Sequence, residues 1–458
     1  MDFTSRTIAE YASELAFDDI PEPAVEAATR LVYDSLGCCM GAYTSPPSKH
    51  LRSLYGDIDA RETATIFGDG SETMLEYAAL INSTLVRYLD FNDTYISQGR
   101  ACHPSDHIPA LLGVAEAEGA DGETLIESIV LAYEIEGAGL DTGVTWDHGY
   151  DYVTWGAFSS VAAVGNLLDF DVETYRNALG IAGSSNLTLG IARRGAVSMW
   201  KGIAHPYVTH NAVQACAMAE EGITGPDAVF EGPDGFWEVA AGRPLEFEGL
   251  GGSTQSDFRI TDAHIKPYPC GYYMQPIIAG IVDIVESEGI EPASVTAVDI
   301  ETFEHAADVL AGEEKWATDL TRESADHSIP YTASIAILFG DITPTHYDRE
   351  YRENERVHSL MEKVSVAVDP QLTDMAGVNP NSTPSVITIE TTEGSHRTHV
   401  NYAPGHAENP LSDAELESKF RGMCEPLMTE SQLRTIRTMC ESLPELSSVD
   451  PLIAELTV

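Results

Sequence analysis

The sequence predicts a mainly α-helical protein in which a large all-helical domain, formed by both ends of the chain, carries a smaller inserted α+β lid domain. Apolar residues recur at helical spacing from residue 7 to about residue 220. Alternating β-branched residues appear later, between residues 294 and 402, and helical spacing then returns near the C-terminus. We therefore expect one helical domain at 1–264 and 405–458, a lid at 265–404, and a cleft between them.

The helices of the first part are predicted from their apolar stripes and their end signals. Residues 8–15 and 25–39 each place apolar side chains along one helical face. A further helix is predicted to begin after Asp121, whose carboxylate suits an N-cap. It is predicted to end at Gly137, because glycine commonly follows the last helical turn.

Strands and a second group of helices are predicted for the lid and the C-terminal part. The segments with β-branched alternation are 294–303, Val364–Val368, Ser385–Thr391 and 396–402. The last two flank Glu393 and Gly394 and predict a β-hairpin. Helical spacing marks the segments 326–339, 413–423 and 431–440.

The charge balance of the chain is extreme. It contains 25 Lys+Arg and 73 Asp+Glu, which gives a formal net charge of -48. Molar salt shortens the Debye length to about 3 Å and screens the resulting self-repulsion, so the composition predicts a halophilic protein. Nucleic acids and anionic membranes are not expected as partners, because they offer no cation to an acidic surface.

Sequence signals also indicate location and redox chemistry. The first residues, MDFTSRTIAEYASEL, have neither a long apolar run nor a small-residue cleavage site. No window approaches the roughly 18 uninterrupted apolar residues of a spanning helix, so a cytoplasmic protein is expected. The seven cysteines form no Cys-x-x-Cys pair, which favours buried free thiols over a zinc knuckle or an iron–sulfur cluster.

Lysine is so rare in this chain that the setting of each one is informative. Two of the six lysines, Lys201 and Lys266, have aromatic or apolar neighbours and few nearby acids. A buried ammonium group without a carboxylate partner is costly, so such lysines typically await the negative charge of a ligand. The alternative is that their aliphatic stems pack while the ammonium groups reach water.

His103 is the leading candidate for proton transfer. It precedes a predicted helix, where free N–H groups favour an anion and an imidazole can donate or accept a proton near neutral pH. Asp90 and Asp93 lie upstream, either as functional acids or as caps. His103 and His107 also have the spacing of paired metal ligands, although Pro104 interrupts the turn and no Glu occupies the position that a zinc protease needs.

Further polar candidates lie before Lys201 and at the start of the predicted lid helix. Arg193 and Arg194 offer guanidinium groups that can clamp carboxylates in bidentate fashion. At the lid helix, Asp326 is either a functional acid or a cap, and His327 follows it. Tyr331 supplies a phenol that either transfers protons or belongs to the core.

With these segments in order, the chain resembles the MmgE/PrpD family nearly from end to end. The segments that carry the likeness are Asp90-Phe91-Asn92-Asp93-Thr94, His103-Pro104-Ser105, Thr154-Trp155-Gly156-Ala157, Ser198-Met199-Trp200-Lys201, Lys266-Pro267-Tyr268-Pro269-Cys270 and Ala325-Asp326-His327-Ser328. One departure is Tyr152, which stands where many members of the family have a histidine and weakens the resemblance to its decarboxylase branch. The segment 325–331 resembles the dehydratase branch.

The resemblance implies a fold, an assembly and a set of pocket residues. Members of the family combine a large helical domain with an α+β lid, usually form homodimers, and in most cases need no metal or other cofactor. By resemblance, the positions that line the pocket are Asp90, Thr94, His103, Lys201, Lys266 and Tyr331.

The resulting hypothesis is a hydro-lyase that eliminates water from 2-methylcitrate or a related hydroxy-tricarboxylate without a metal. Removal of a proton beside a carboxylate requires a base, cations that stabilise the aci-carboxylate, and an acid for the leaving hydroxyl. Lys201, Lys266 and Arg194 are predicted to bind and stabilise carboxylates. His103, oriented by Asp90, is the predicted proton-transfer group. Either Tyr331 or His327 is its predicted partner, and which side is acid and which is base is left open.

Four alternatives to this hypothesis remain open at the level of sequence. Two share the pocket: an isomerase or epimerase of an amino- or imino-dicarboxylate, and a decarboxylase. A third is a metal-dependent hydrolase that uses His103 and His107. The fourth is a binding protein that holds tricarboxylates without converting them.

Overall fold

Helices make up most of the molecule, as the sequence predicts. The computed structural model describes residues 2–245, 247, 249–252, 257–379 and 381–458. The first ten helices are α1 Phe3–Glu14, α2 Glu22–Ala42, α3 Pro46–Tyr55, α4 Leu75–Tyr88, α5 Ile108–Glu118, α6 Gly122–Asp141, α7 Val153–Leu167, α8 Val172–Ser185, α9 Ala204–Glu220 and α10 Phe236–Ala241. Those that follow are α11 Gln275–Glu288, α12 Glu304–Leu310, α13 Arg322–Ala325, α14 Ile329–Phe339, α15 Arg349–Arg352, α16 Glu355–Met361, α17 Pro370–Val378, α18 Asp413–Cys424, α19 Glu430–Glu441 and α20 Asp450–Ala454.

Four strands form the main sheet. The strands of the molecule are β1 Thr63–Thr65, β2 Glu72–Met74, β3 Tyr95–Ser97, β4 Arg100–Cys102, β5 Val295–Thr302, β6 Val364–Val368, β7 Ser385–Thr391 and β8 Ser395–Val400. The sheet order is β6-β5-β7-β8, with β5 parallel to β6 and antiparallel to β7. The predicted hairpin is confirmed, because β7 and β8 pair antiparallel around Glu393 and Gly394. Helices α11 and α14 pack on this sheet and on each other.

The described residues form two large apolar cores and a small third cluster around Leu51. The larger core joins side chains from α1 to α10 with those of the last helices, including Leu36, Trp155 and Phe420. The smaller core surrounds the sheet and includes Ile277 and Ile300. Burial of such a side chain stabilises the fold by about 1.5–3 kcal/mol. Because the larger core contains side chains from both ends of the chain, both ends belong to one helical body.

Two sequence-based predictions within this helical body are wrong. Short antiparallel pairs, β1 with β2 and β3 with β4, interrupt the segment predicted to be all-helical. Asp121 does cap α6, by accepting a hydrogen bond from the Thr124 N–H, but the helix continues through Gly137 to Asp141. A Cβ at Gly137 would lie 2.7 Å from the Arg259 side chain, so this glycine permits close packing and does not end the helix.

The described residues contain no helix that combines the length and the apolar character needed to cross a bilayer. All seven cysteines lie within the described residues, where each is buried and none forms a disulfide. The predicted buried free thiols are therefore confirmed. Burial also raises the pKa of thiols such as Cys39 and Cys102, which keeps them protonated and unreactive.

Candidate active site

A cavity of about 100 Å³ lies between the helical body and the residues around the sheet. Its wall on the helical side comes from the ends of α4, β4 and the turns beside α7 and α9. Its opposite wall comes from the segment before α11, from α12 and from the turn before α14. The residues that line it are Arg87, Asp90, Ala101, His103, Trp146, Tyr152, Arg193, Arg194, Gly271, Tyr272, Tyr273, His305, Val309, Leu310 and His327.

The turn after α4 brings the first acidic group to this cavity. Asp90 adopts a left-handed φ of 52°, which is uncommon for a residue with a side chain and costs on the order of 1–3 kcal/mol. The surrounding structure holds the turn in place. Lys419 donates a 2.7 Å hydrogen bond to the Phe91 carbonyl, and the backbone groups of Thr94 and His264 pair in both directions at 2.8 Å.

Asp90 is surrounded by buried cations. Its Oδ1 accepts hydrogen bonds from Arg87 Nη1 at 3.1 Å and Lys266 Nζ at 2.5 Å, and its Oδ2 accepts one from Lys201 Nζ at 2.8 Å. Burial alone raises the pKa of Asp90, but Lys201, Lys266 and Arg87 outweigh it and hold that pKa well below its usual range. The expectation that both lysines lack carboxylate partners is therefore wrong. Their partners are distant along the chain.

His103 presents a hydrogen-bond acceptor to the cavity. Its Nδ1 lies 2.6 Å from the Asp93 carbonyl oxygen and therefore carries the proton that it donates to that oxygen. This tautomer leaves Nε2 with a lone pair. Burial, together with the positive charges of Arg87 and Lys266, lowers the pKa of His103 well below its usual value, so the ring is neutral at neutral pH.

His327 stands near the opposite wall, between two carboxylates. Its Nδ1 donates a 2.6 Å hydrogen bond to Asp326 Oδ1, and its Nε2 lies 3.3 Å from Asp90 Oδ2. Burial and the Lys201 ammonium lower the pKa of His327 to about 4. Lys201 also donates a 3.0 Å hydrogen bond to Asp326, so one ammonium group links both carboxylates to this histidine.

Arginines add positive charge to the helical wall. Arg193 Nε lies 2.8 Å from Asp151 Oδ2, and its guanidinium lies over the ring of Tyr152 and donates to the Tyr152 hydroxyl at 2.9 Å. Arg194 is exposed and, within the part of the chain that the structure describes, forms no ion pair. The wall therefore offers one unpaired guanidinium to an incoming anion, even though the chain as a whole is strongly acidic.

The structure brings most of the sequence-predicted site residues together. Asp90, His103, His327 and Arg194 line the cavity. Both predicted lysines, Lys201 and Lys266, lie directly behind Asp90 and are at most 1% exposed.

Four sequence-predicted site residues do not line the cavity: the two lysines just described, and also Thr94 and Tyr331. Thr94 is buried behind His103, with its Oγ1 3.2 Å from the imidazole Nδ1. The Tyr331 hydroxyl donates a 2.5 Å hydrogen bond to the His346 carbonyl and is absent from the described lining. Asp90 also does not orient His103 as expected, because the Asp93 carbonyl makes that hydrogen bond.

Several cavity residues were missed at the level of sequence. Arg87 is 1% exposed and lies three residues before Asp90, so an arginine inside the apolar stripe of α4 was a usable signal. His305 also lines the cavity, and its ring accepts a 3.1 Å hydrogen bond from Arg100, but nothing in either local segment predicts that these two side chains meet. Arg100 and His305 are 205 residues apart in the sequence, so they meet only because the fold brings β4 next to α12.

The buried histidines predict a fall in stability at acidic pH. Burial is the main cause that lowers the pKa of both His305 and His327 to about 4, while the unfolded chain binds these protons near pH 6.5. Because the unfolded state then binds more protons, the free energy of unfolding should decrease as the pH falls from 6.5 to 4, by roughly 1.4 kcal/mol per pH unit for each such histidine. Denaturant titrations at fixed molar salt would measure this. A flat profile over that range would contradict the burial of neutral imidazoles.

The cavity combines the imidazoles of His103 and His327 with three arginines, groups that can transfer protons and bind anions, as the active site of an enzyme can. The model of the MmgE/PrpD N-terminal domain matches residues 6–248, and that of the MmgE/PrpD C-terminal domain matches residues 268–445. The chain therefore belongs to the MmgE/PrpD family, and the resemblance noted in the sequence is confirmed.

Characterised enzymes align with nearly the whole chain. The 2-methylcitrate dehydratase of Salmonella typhi is 26% identical over 454 residues, which cover 92% of this chain and 91% of that enzyme. The 2-methylcitrate dehydratase of Escherichia coli (strain K12) is 26% identical over 471 residues, covering 95% and 92%. The cis-aconitate decarboxylase of Aspergillus terreus is 23% identical over 473 residues, covering 97% and 94%. The prediction that the chain is an enzyme of this family is confirmed.

Proposed function

We propose that this protein is a hydro-lyase that eliminates water from 2-methylcitrate or a closely related hydroxy-tricarboxylate, with no metal in the chemical step. The observation that carries the proposal is the pair of neutral imidazoles, His103 and His327, that line one cavity together with Arg87, Arg193 and Arg194. An elimination needs two proton-transfer groups and fixed positive charge, and this cavity supplies both.

The environments of the two histidines favour different roles. His103 has its Nδ1–H committed to a backbone carbonyl, so its Nε2 is free to take the proton beside a substrate carboxylate. His327 lies between Asp90 and Asp326, and both carboxylates stabilise its protonated form once a multiply negative substrate enters. We therefore assign His103 as the base and His327 as the acid that protonates the departing hydroxyl.

Atoms and charges balance in this scheme. The C–H bond breaks, its proton moves to His103, and its electron pair is held by the neighbouring carboxylate as an aci-carboxylate. This pair then forms the C=C bond as the C–O bond breaks, and the hydroxyl takes a proton from His327 and leaves as water. The negative charge that develops on the substrate carboxylate is stabilised by the cations around Asp90, which are already oriented by their hydrogen bonds to it.

Substrate conversion followed by proton NMR in D₂O tests the proposal. The purified chain is incubated in molar KCl with 2-methylcitrate, citrate, cis-aconitate and an amino-dicarboxylate in parallel. An alkene signal from 2-methylcitrate is expected. Hydrogen–deuterium exchange or inversion without an alkene would indicate the isomerase instead, and release of CO₂ would indicate the decarboxylase. Binding of every compound without conversion would overturn the enzymatic proposal.

The proposal includes a homodimer, which is supported by an exposed apolar patch. The patch consists of the side chains of Leu187, Leu189, Ile191, Met199, Trp200 and Tyr207. Ile191 is 72% exposed and Leu189 is 59% exposed, which is unusual for large apolar side chains near each other. The patch lies within residues 174–219, which contain no Asp or Glu although the whole chain has 73.

Charge argues that a second copy of this chain covers the apolar patch. Two molecules of net charge -48 repel each other, and contact between their acid-free segments brings the fewest like charges together. A twofold dimer places the same patch of each copy against the other. The two short turns of the patch, Gly190–Arg193 and Met199–Gly202, also contact each other, so they present one continuous surface.

Acidic substitutions in the apolar patch should dissociate this dimer. In the double variant Leu189→Asp and Ile191→Asp, like charges meet in the interface and the dissociation constant should rise by roughly 100-fold or more. Light scattering coupled to gel filtration in molar KCl would measure the mass. The matched control is Val378→Asp, at an exposed apolar residue of α17, which should leave the dimer intact. A wild-type monomer, or a double variant that still dimerises, would contradict the interface.

The proposal also includes a salt-filled cytoplasm, and this predicts salt-dependent stability. Lowering KCl from molar to about 0.1 M lengthens the Debye length to about 10 Å, so carboxylates across the surface repel one another. The unfolding midpoint and kcat/KM for an anionic substrate should both fall. Thermal unfolding and initial rates across a KCl series would test this, with sucrose as the control for general crowding. Equal stability at both salt concentrations would refute the halophilic assignment.

A further inference from the structure

A second cluster of potential ligands lies beneath the cavity and is not used by the proposed reaction. His107, Glu136 and His205 are fully buried, and one ligand atom of each lies within 4.8 Å of the others. None of the three lines the cavity. The contacts do not favour the alternative in which His103 and His107 bind one metal ion, because His103 bonds to the Asp93 carbonyl while His107 faces Glu136.

Both imidazoles aim the same nitrogen at one carboxylate. His107 Nε2 lies 3.0 Å from Glu136 Oε2, and His205 Nε2 lies 3.5 Å from Glu136 Oε1. Ligand atoms on a tetrahedral zinc ion, each about 2.0–2.1 Å from the metal, lie roughly 3.3 Å apart. The two observed nitrogen–oxygen distances, 3.0 Å and 3.5 Å, lie just below and just above that value.

The other nitrogen of each ring is held by a hydroxyl. Ser160 Oγ lies 3.0 Å from His107 Nδ1, and Thr209 Oγ1 lies 3.3 Å from His205 Nδ1. Ser160 also donates to Thr209 at 3.3 Å, so the two hydroxyls form one supporting layer. Metal-binding histidines typically have such a partner on the nitrogen that does not bind the ion, because it fixes the ring and its tautomer.

The protein atoms alone leave this cluster incomplete. Glu136 Oε1 and His205 Nε2 are buried, lie 3.5 Å apart and form no hydrogen bond of ordinary geometry with any residue that the structure describes. Within the described part of the chain, no lysine or arginine forms an ion pair with Glu136. A buried carboxylate without a cation is costly, and a divalent ion between these atoms would satisfy both the charge and the two unpartnered atoms.

We propose that His107, Glu136 and His205 bind one divalent transition-metal ion, with zinc as the best match, as a structural site one layer behind the active-site cavity. Two imidazoles and one carboxylate are a ligand set that suits zinc and related ions. Ser159 Oγ, 2.9 Å from His107 Nε2, provides an oxygen beside the site for a fourth position. Because the cluster is fully buried, the ion enters as the chain folds and contributes to the stability of the helical body.

Metal content of the full chain is the direct test. The protein is produced without a histidine tag in zinc-supplemented cells, purified in molar KCl, and analysed by mass spectrometry for bound metals. About one zinc per chain is expected in the wild type, and less than about one fifth of that in Glu136→Gln and in His107→Asn. His148→Asn, at an exposed histidine, is the matched control and should keep its zinc.

Two further measurements keep the test independent of how the variants fold. Wild-type protein refolded with Co²⁺ should show the visible absorption of a tetrahedral cobalt site, and refolding with a chelator should lower its melting temperature by several degrees. Wild-type protein that binds almost no zinc, cobalt, manganese or iron, and that melts identically with and without chelator, would show a hydrogen-bonded network only. That result would overturn the metal site and leave the proposed reaction untouched, because the reaction is assayed separately.

Discussion

Replacing Lys201 with methionine is expected to lower kcat by about 10²- to 10³-fold, because the ammonium group is proposed to stabilise the negative charge that develops on the substrate carboxylate. The same change should lower the free energy of unfolding by about 3–5 kcal/mol, since it leaves the Asp90 and Asp326 carboxylates buried without their common cation. Steady-state kinetics and denaturant unfolding in molar KCl would measure the two effects.

A second substitution separates the catalytic effect from the structural one. Asp326→Asn in the Lys201→Met background removes one of the two carboxylates that lose their shared cation and should restore part of the lost stability. It cannot restore the lost positive charge, so kcat should remain low. If the double variant regained both stability and turnover, Lys201 would be a structural residue only. Lys49, which lies on α3, provides the control substitution Lys49→Met, and neither quantity should change.

Replacing His103 with asparagine should lower kcat by about 10²- to 10⁴-fold, the range by which a positioned acid or base accelerates a reaction. The amide of asparagine can still donate to the Asp93 carbonyl in place of Nδ1–H, but no imidazole nitrogen remains at position 103 to accept a proton. Stability should therefore change little while proton transfer is lost. Single-turnover kinetics and the exchange of substrate hydrogen with D₂O would measure the loss directly.

The pH profile adds an independent check on the His103 assignment. In the wild type, kcat should fall at acidic pH as His103 becomes protonated and can no longer accept the substrate proton. In His103→Asn the acidic limb should disappear. A variant with normal kcat and a lower melting temperature would instead make His103 a structural residue, and His148→Asn serves as the control for loss of an exposed imidazole.

The helices and strands could be predicted well because their signals are local. The β-branched segments coincide with β5, β6 and β7, and the apolar spacing after Pro404 coincides with α18 and α19. The errors arose where packing overrides local preference. Gly137 lies inside α6, where the Arg259 side chain packs so closely that a Cβ at this position would clash with it. Arg259 is more than 100 residues away along the chain, so no local signal predicts this contact.

The candidate site could be predicted in its residue types more easily than in its contacts. His103 and the two lysines stood out because a histidine before a helix and lysines in apolar segments are unusual in so acidic a chain. That Asp90 binds Lys201 and Lys266 had no local signal, since its partners lie 111 and 176 residues away. The hydrogen bond from the Tyr331 hydroxyl to the His346 carbonyl likewise could not be predicted, because it depends on the fold.

The sequence alone therefore determined the fold class and the family, because the periodicity of apolar residues and the order of motifs are properties of the chain itself. The tertiary structure decided which charges compensate one another, which imidazole nitrogen faces the cavity, and which histidine pairs with Glu136. The physical reason is that a buried charge is stable only with a partner at about 3 Å, and side chains far apart along the chain come that close only when the whole fold has formed.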